Sequence, residues 1–183
     1  MINHLIEKSQ FANRNAIIAW IIAGLFIVLK LWLLQSNPEF FVFLITPVKT
    51  FVELQSGADS IFLDGCSYYF PDLQIVIDKS CSGANFLILS FLLLFYHILM
   101  LCQNYWLRIV ILPLIMGLAY LFTITVNTSR IVISILLNEV FHGTASWFHE
   151  FQGAFIYLSF FILLFLLTKF LENKIIQHYA KFA

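Results

Sequence analysis

Three residues that could carry acyl-transfer chemistry stand far apart in the sequence, each beside a long apolar run: Cys81, Arg130 and His149. A cysteine thiolate is a nucleophile, a guanidinium can hold a developing oxyanion, and an imidazole exchanges protons near neutral pH. The three residue types together predict attack of a thiol on a carbonyl carbon, on the condition that the fold brings them to one place.

Cys81 stands just before an apolar run that should be helical, and Ser80 or Ser82 could cap that helix, which makes Ser82 a supporting residue. The unsatisfied N–H groups and the dipole at a helix N-terminus favour the reactive thiolate. Two other roles stay open for Cys81, namely an inert packing residue and a disulfide with Cys66. Cys102 is expected only to pack.

Arg130 is followed by a long apolar run, and at membrane depth an ionisable side chain is unfavourable without a partner or water. Asn127, three residues earlier, shares its face if the segment is helical, and it could orient the guanidinium. His149 could act as general acid or base, with His142 as a rival. The structural alternatives are a snorkelling arginine, a helix cap at Asn127 and a histidine that anchors a span.

The composition indicates a membrane protein. Of the 183 residues, 61% are hydrophobic and 11% are charged, whereas soluble domains carry about 25% charged residues. These values exclude a water-soluble domain and a disordered chain. The 10 basic residues balance 10 acidic ones, and no basic stripe is present, so we expect no nucleic-acid partner. We interpret residues 1–183 as one membrane domain in the lipid bilayer.

Four apolar stretches are long enough for helical spans, because a bilayer core of about 30 Å needs roughly 20 residues. They cover residues 16–35, 84–101, 107–126 and 151–169. The first is interpreted as a retained span, because no clean cleavage site follows it. Lysines and arginines favour the cytoplasmic side when both termini lie there. This orientation puts Cys81, Arg130 and His149 on the extracytoplasmic face.

Three shorter stretches lie between the spans. Residues 40–54 predict a helix at the outer interface. Residues 60–77 hold short β-prone runs between turn dipeptides, which predicts a small extracytoplasmic β-hairpin element of two or three strands. Residues 131–140 are too short for a span and predict a separate re-entrant or interfacial helix. The expected fold class is an all-α integral membrane protein with about four transmembrane helices plus these elements.

The ordered motifs resemble those of the exosortase/archaeosortase family. That family carries a Cys-Ser-Gly segment at the start of a span, then Asn-x-x-Arg, then His-x-x-x-Gly. The chain has these segments, in this order, at Cys81-Ser82-Gly83, Asn127-Thr128-Ser129-Arg130 and His149-Glu150-Phe151-Gln152-Gly153. The resemblance covers residues 57–169. The short chain resembles a compact subtype such as exosortase K.

The resemblance implies a cysteine protease or transpeptidase in a prokaryotic inner membrane. Its substrates would be exported proteins with a C-terminal sorting tail, made of a short motif, a transmembrane helix and a basic end. Cys81 would form a thioester, Arg130 would stabilise the oxyanion or position the peptide, and His149 would move protons, with Asn127 in support. The product would pass to an acceptor that the sequence does not identify.

No pattern for a cofactor or metal accompanies these residues. His149-Glu150 begins like the zinc-protease motif H-E-x-x-H, but the fifth position is Gly153. We therefore expect no cofactor and no metal. Two other functions stay open. One is a non-catalytic membrane scaffold or transporter subunit, in which Arg130 would pair with Glu139 or Glu150. The other is a hydrolase that cleaves the tail and transfers nothing.

Overall fold

The computed structural model describes residues 2–102, 104–140 and 146–180, and the side chains of residues 17–102, 104–137, 151–175 and 177. Five α-helices follow one another along the chain: α1 (Ile2–Gln35), α2 (Val42–Ser56), α3 (Ala84–Leu101), α4 (Tyr105–Val140) and α5 (Ser146–Ala180). Between α2 and α3 lie the strands β1 (Ile61–Leu63), β2 (Ser67–Phe70) and β3 (Ile75–Ile77). Two 3₁₀ turns, Pro38–Phe41 and Lys79–Cys81, precede α2 and α3.

Among the described residues, four segments are long and apolar enough to cross a membrane. They are Ile17–Gln35, Lys79–Leu101, Tyr105–Leu137 and Phe151–Ile175. A helix satisfies its own backbone hydrogen bonds, as lipid requires. The predicted class, an all-α integral membrane protein with four spans and a small β element, is therefore confirmed.

The third span differs from the prediction, because α4 is one continuous helix from Tyr105 to Val140. Residues 131–140 prolong this helix and do not form a separate re-entrant or interfacial helix. The polar segment Asn127 to Arg130, which the sequence places at a span end, lies inside the helix, where Cys81 and Tyr157 provide partners for the side chains of Asn127 and Arg130. At about 1.5 Å per residue α4 is longer than a hydrocarbon core of about 30 Å, so it tilts or projects from the membrane.

The β-prone segment forms a three-stranded antiparallel sheet in the order β1-β2-β3. Ile61 pairs with Tyr69, and Tyr69 pairs with Val76. Phe70 and Ile77 point into the protein and are almost completely buried. The predicted short strands are thus confirmed, and β3 leads directly into the 3₁₀ turn Lys79–Cys81.

The main core lies at the end of the bundle that bears the sheet. The helix predicted over residues 40–54 is confirmed as α2, and one of its faces, with Leu44, Val48 and Val52, is buried among side chains from the sheet, α3 and α4. A hydrogen bond of 2.8 Å from the Tyr120 hydroxyl to the Phe43 carbonyl also ties α2 to α4. This end of the bundle therefore fixes the start of α3 in place.

Candidate active site

Cys81 lies in the 3₁₀ turn between β3 and α3, and Asp78 caps this turn. The Asp78 carboxylate accepts hydrogen bonds from the backbone N–H of Ser80, at 2.8 Å, and of Cys81, at 3.3 Å. Aspartate is among the preferred residues at such a position because it satisfies otherwise unpaired N–H groups. Asp78 was not predicted as a cap from the sequence, which offered Ser80 or Ser82 as caps of the helix that follows.

The two residues after Cys81 have structural roles. The buried Ser82 hydroxyl accepts a bond of 3.4 Å from the N–H of Ala84, which supports the start of α3. Gly83 has a φ of +73°, and a Cβ there would lie 3.2 Å from Cγ of Asn127 and 3.3 Å from Cγ2 of Thr123. Only glycine adopts this backbone region without penalty, so the Cys-Ser-Gly segment permits a close approach of the turn to α4.

Arg130 of α4 reaches the thiol of Cys81. Its Nη2 lies 3.8 Å from Sγ of Cys81, and its Nη1 donates a hydrogen bond of 2.9 Å to the Tyr157 hydroxyl. That hydroxyl donates a bond of 2.7 Å to Oδ1 of Asn127, and the Asn127 amide donates to the carbonyl of Cys81. These bonds close a ring through three elements, and the fully buried Asn127 is held on both sides.

Tyr157 and Gly153 complete the site from α5. Sequence analysis missed Tyr157, although it stands four residues after Gly153 and eight after His149, a spacing that puts residues on one helix face. Its ring stacks on that of Phe86 at a centroid distance of 4.9 Å. Gly153 is needed for close contact, because a Cβ there would lie 3.2 Å from Nε of Arg130.

His149 lies in the first turn of α5, but its side chain is outside the part of the chain that the structure describes. Its role in proton transfer stays a prediction. His142 also lies outside the described residues, as do the side chains of Glu139 and Glu150, the partners of Arg130 in the scaffold alternative. The structure thus brings together Cys81 and Arg130 of the predicted trio.

The three cysteines, all in described segments, are free. The disulfide between Cys66 and Cys81, left open by the sequence, is not formed. Within the described residues, no group of three or more His, Cys, Asp or Glu side chains could hold a metal ion. The site presents a free thiol beside a guanidinium.

A cavity of about 440 Å³ lies beside the segment that carries Cys81. Its lining includes Ser80 and Ser82, which flank Cys81, together with Arg130, Tyr157 and Lys30 of α1. Cys81 itself is not part of the lining, and Arg130, which contacts both the cavity and Sγ, connects the two. A carbonyl group placed in this cavity would meet the guanidinium beside the sulfur.

The lining of the cavity carries more positive than negative charge. Lys30, Lys79 and Arg130 face one carboxylate, Asp78, which is already engaged in capping. The Lys79 ammonium donates a bond of 2.8 Å to the carbonyl of Ser36, after the end of α1. This excess of positive charge favours a reaction in which negative charge develops on an oxygen.

The comparison with known families agrees with the geometry. The profile of the family described as Transmembrane exosortase matches residues 14–166. This match includes all of α2, α3 and α4, parts of α1 and α5, and every residue of the hydrogen-bonded ring. No curated protein and no solved structure gives a significant match.

Proposed function

The chain belongs to the transmembrane exosortase family, and from this premise we propose that it is a membrane cysteine transpeptidase acting on the C-terminal sorting tail of exported proteins. Family membership places it among membrane protein-sorting proteases and transpeptidases in general. The observation that carries the finer proposal is the distance of 3.8 Å between Sγ of Cys81 and Nη2 of Arg130.

In the first step, the Cys81 thiolate attacks the scissile carbonyl carbon and forms a C–S bond. Negative charge develops on the carbonyl oxygen, and the guanidinium of Arg130 stabilises it. The C–N bond then breaks, and the tail leaves as an amine that receives a proton from His149. The result is a thioester between Cys81 and the exported protein, together with a free tail.

In the second step, an acceptor nucleophile attacks the thioester carbonyl. His149 takes the proton of the acceptor, the C–S bond breaks, and Cys81 leaves as the thiolate with which the first step began. An amine or hydroxyl acceptor gives transfer, whereas water gives hydrolysis. We propose transfer, with the exported protein and an acceptor of unidentified chemistry as the partners.

Asn127 and Tyr157 position the reacting groups in this scheme. Asn127 holds the carbonyl of Cys81, and Tyr157 joins Asn127 to Arg130. The sulfur and the guanidinium are thereby fixed before substrate arrives, which reduces the reorganisation needed in the transition state.

The site lies near a membrane surface in this proposal. Arg130 stands about 38 Å along α4 from Tyr105 at 1.5 Å per residue, more than the hydrocarbon thickness of about 30 Å. We propose that this length brings Arg130 to a membrane surface, where water and an aqueous acceptor reach it. We assign this surface to the extracytoplasmic face and both termini to the cytoplasm, because that orientation agrees with the distribution of lysines and arginines. The substrate helix in the same bilayer would encounter the enzyme in two dimensions.

The test is a processing assay with a reporter protein that carries a sorting tail. Cys81→Ala and Cys81→Ser should insert normally and release no detectable tail, because neither side chain can form the thioester. Cys66→Ala and Cys102→Ala are matched controls that should process normally. Normal processing by Cys81→Ala would overturn the proposal and favour the scaffold alternative. The mass of the new carboxyl end distinguishes transfer from hydrolysis.

A further inference from the structure

A second polar cluster joins α3 to α5 away from the cavity. The Nδ1 of His97 in α3 lies 3.3 Å from Oε2 of Glu172 in α5, and the Lys169 ammonium lies 2.8 Å from the same oxygen. The side chain of His97 is 5% exposed and that of Glu172 is 16% exposed. Sequence analysis gave these residues no role.

His97 and Glu172 both belong to segments that are long and apolar enough to cross a membrane. His97 is in the span Lys79–Leu101, and Glu172 is in Phe151–Ile175. At 1.5 Å per residue, His97 is about 20 Å along α3 from its start, and Glu172 is about 22 Å along α5 from Tyr157. A carboxylate at such a depth requires a partner. Among the described residues, His97 is the partner of Glu172 that comes from another helix.

Glu172 lies on the face of α5 that builds the candidate active site. Positions 153, 157, 160, 164, 168 and 172, three or four residues apart, are all buried or half-buried. Residues at this spacing share one face of a helix. A rotation of α5 at Glu172 therefore turns Gly153 and Tyr157 as well.

We propose that His97 and Glu172 are positioning residues, which form an intramembrane clasp that sets the rotation and register of α5 on α3. Together with the stacking of Phe86 on Tyr157, the clasp holds α5 at two points. A slip of one residue would turn α5 by about 100° and shift it by about 1.5 Å, which would break both hydrogen bonds of the Tyr157 hydroxyl. Arg130 would then no longer be fixed beside the sulfur of Cys81. The inference deepens the proposed function, because it concerns the geometry of the same site.

The reactivity of Cys81 provides a test that needs no substrate. In a Cys66→Ala/Cys102→Ala background, Cys81 is the sole thiol, and its alkylation by a water-soluble iodoacetamide reports the environment of the sulfur. His97→Leu should slow this alkylation at least about threefold, because contacting groups in one network are coupled and a displaced Arg130 no longer lies beside the sulfur. His97→Gln should stay within about twofold, since its amide can donate to Glu172.

Ser90→Ala is the matched control, because Ser90 is a fully buried polar residue of α3 that belongs neither to the clasp nor to the site. It should alkylate at the wild-type rate. The clasp would be refuted if inserted His97→Leu protein reacted as fast as wild type, or if His97→Gln and Ser90→Ala slowed the reaction as much as His97→Leu. A failure of tail processing with the expected alkylation pattern would instead reject the proposed function and leave the clasp standing.

Discussion

At the end of the bundle that bears the sheet, α3 and α4 are held by a continuous apolar core and by the ring of hydrogen bonds around Cys81. Toward the other end, α3 and α5 meet at the contact between His97 and Glu172. Only 11% of the residues in the span of α5 are buried, against 33% in that of α3. Close packing therefore fixes the helices at the end that bears the sheet. At the other end, a single polar contact sets the position of α5.

The largest effect is expected from Arg130→Lys, which tests whether the ring acts as a chemical unit. One ammonium cannot serve both Tyr157 and Cys81 as the forked guanidinium does. The kcat/KM for tail cleavage should fall about 100- to 1000-fold, the range found for the loss of one oxyanion donor. Activity close to wild type would remove Arg130 from the mechanism.

The next prediction compares two tyrosine hydroxyls, one that belongs to the ring of hydrogen bonds around Cys81 and one that does not. Tyr157→Phe leaves the buried Oδ1 of Asn127 without its donor and should lower kcat/KM about 10- to 100-fold, because an unsatisfied buried group costs about 1–3 kcal/mol. Tyr120→Phe loses a bond of 2.8 Å between α4 and α2. It should lower the thermal midpoint and leave kcat/KM nearly unchanged. Equal losses of activity in both variants would contradict a special role for the ring.

A smaller effect is expected from a methyl group at two helical glycines. Gly153→Ala places a Cβ at 3.2 Å from Nε of Arg130, whereas a Cβ at Gly117 meets nothing within 4 Å. The guanidinium has to move by only a few tenths of an ångström. Since a misplacement of about 1 Å costs about 100-fold, kcat/KM should fall about tenfold. Gly117→Ala should keep full activity and gain helix stability. An active Gly153→Ala enzyme would show that α5 is less tightly fixed at this end than the contacts indicate.

The smallest effect is expected at the end of the bundle that bears the sheet. Hydrogen bonds from Lys49 and Ser60, together with the charge of Lys49, lower the pKa of Glu53 although desolvation by burial, the largest single influence, raises it. A carboxyl group with a lowered pKa stabilises the fold at pH values above its ordinary pKa of 4.5. This contribution is lost as the pH falls below that value. Glu53→Gln should therefore reduce the free energy of unfolding at pH 7 by less than about 1 kcal/mol.

Thermal unfolding in detergent at pH 7 and pH 3 measures this difference, with tail cleavage as the control. The stability of wild type and of Glu53→Gln should converge at pH 3, and kcat/KM at pH 7 should be equal. A difference in stability that persisted at pH 3 would assign the effect to packing and not to the charge of Glu53.

Much of the fold could be predicted because lipid imposes simple rules. Length and apolar content located the four spans, and turn dipeptides located the three strands. The prediction failed at residues 131–140, where a polar segment was interpreted as the end of a span. Asn127 and Arg130 are tolerated inside α4 because Cys81 and Tyr157 satisfy them. Such tertiary partners leave no periodic signal in the sequence.

The candidate site could be predicted in part. Loop charge and the order of the motifs indicated that Cys81 and Arg130 would meet, and their side chains are in contact. Tyr157 was missed because it is one aromatic residue in a span rich in them, and only its spacing from Gly153 marks it. The reason for the two motif glycines is visible only in three dimensions, since it lies in the distance to a side chain of α4.

The hydrogen bond from Asn127 to Cys81 is made to the backbone carbonyl and does not involve the sulfur. Cys81→Ala, which replaces the thiol group by a hydrogen atom, should consequently leave the structure of the site intact while removing activity. An inactive Cys81→Ala protein would then act as a substrate trap. It would retain an uncleaved substrate in the bilayer long enough for mass spectrometry to identify it.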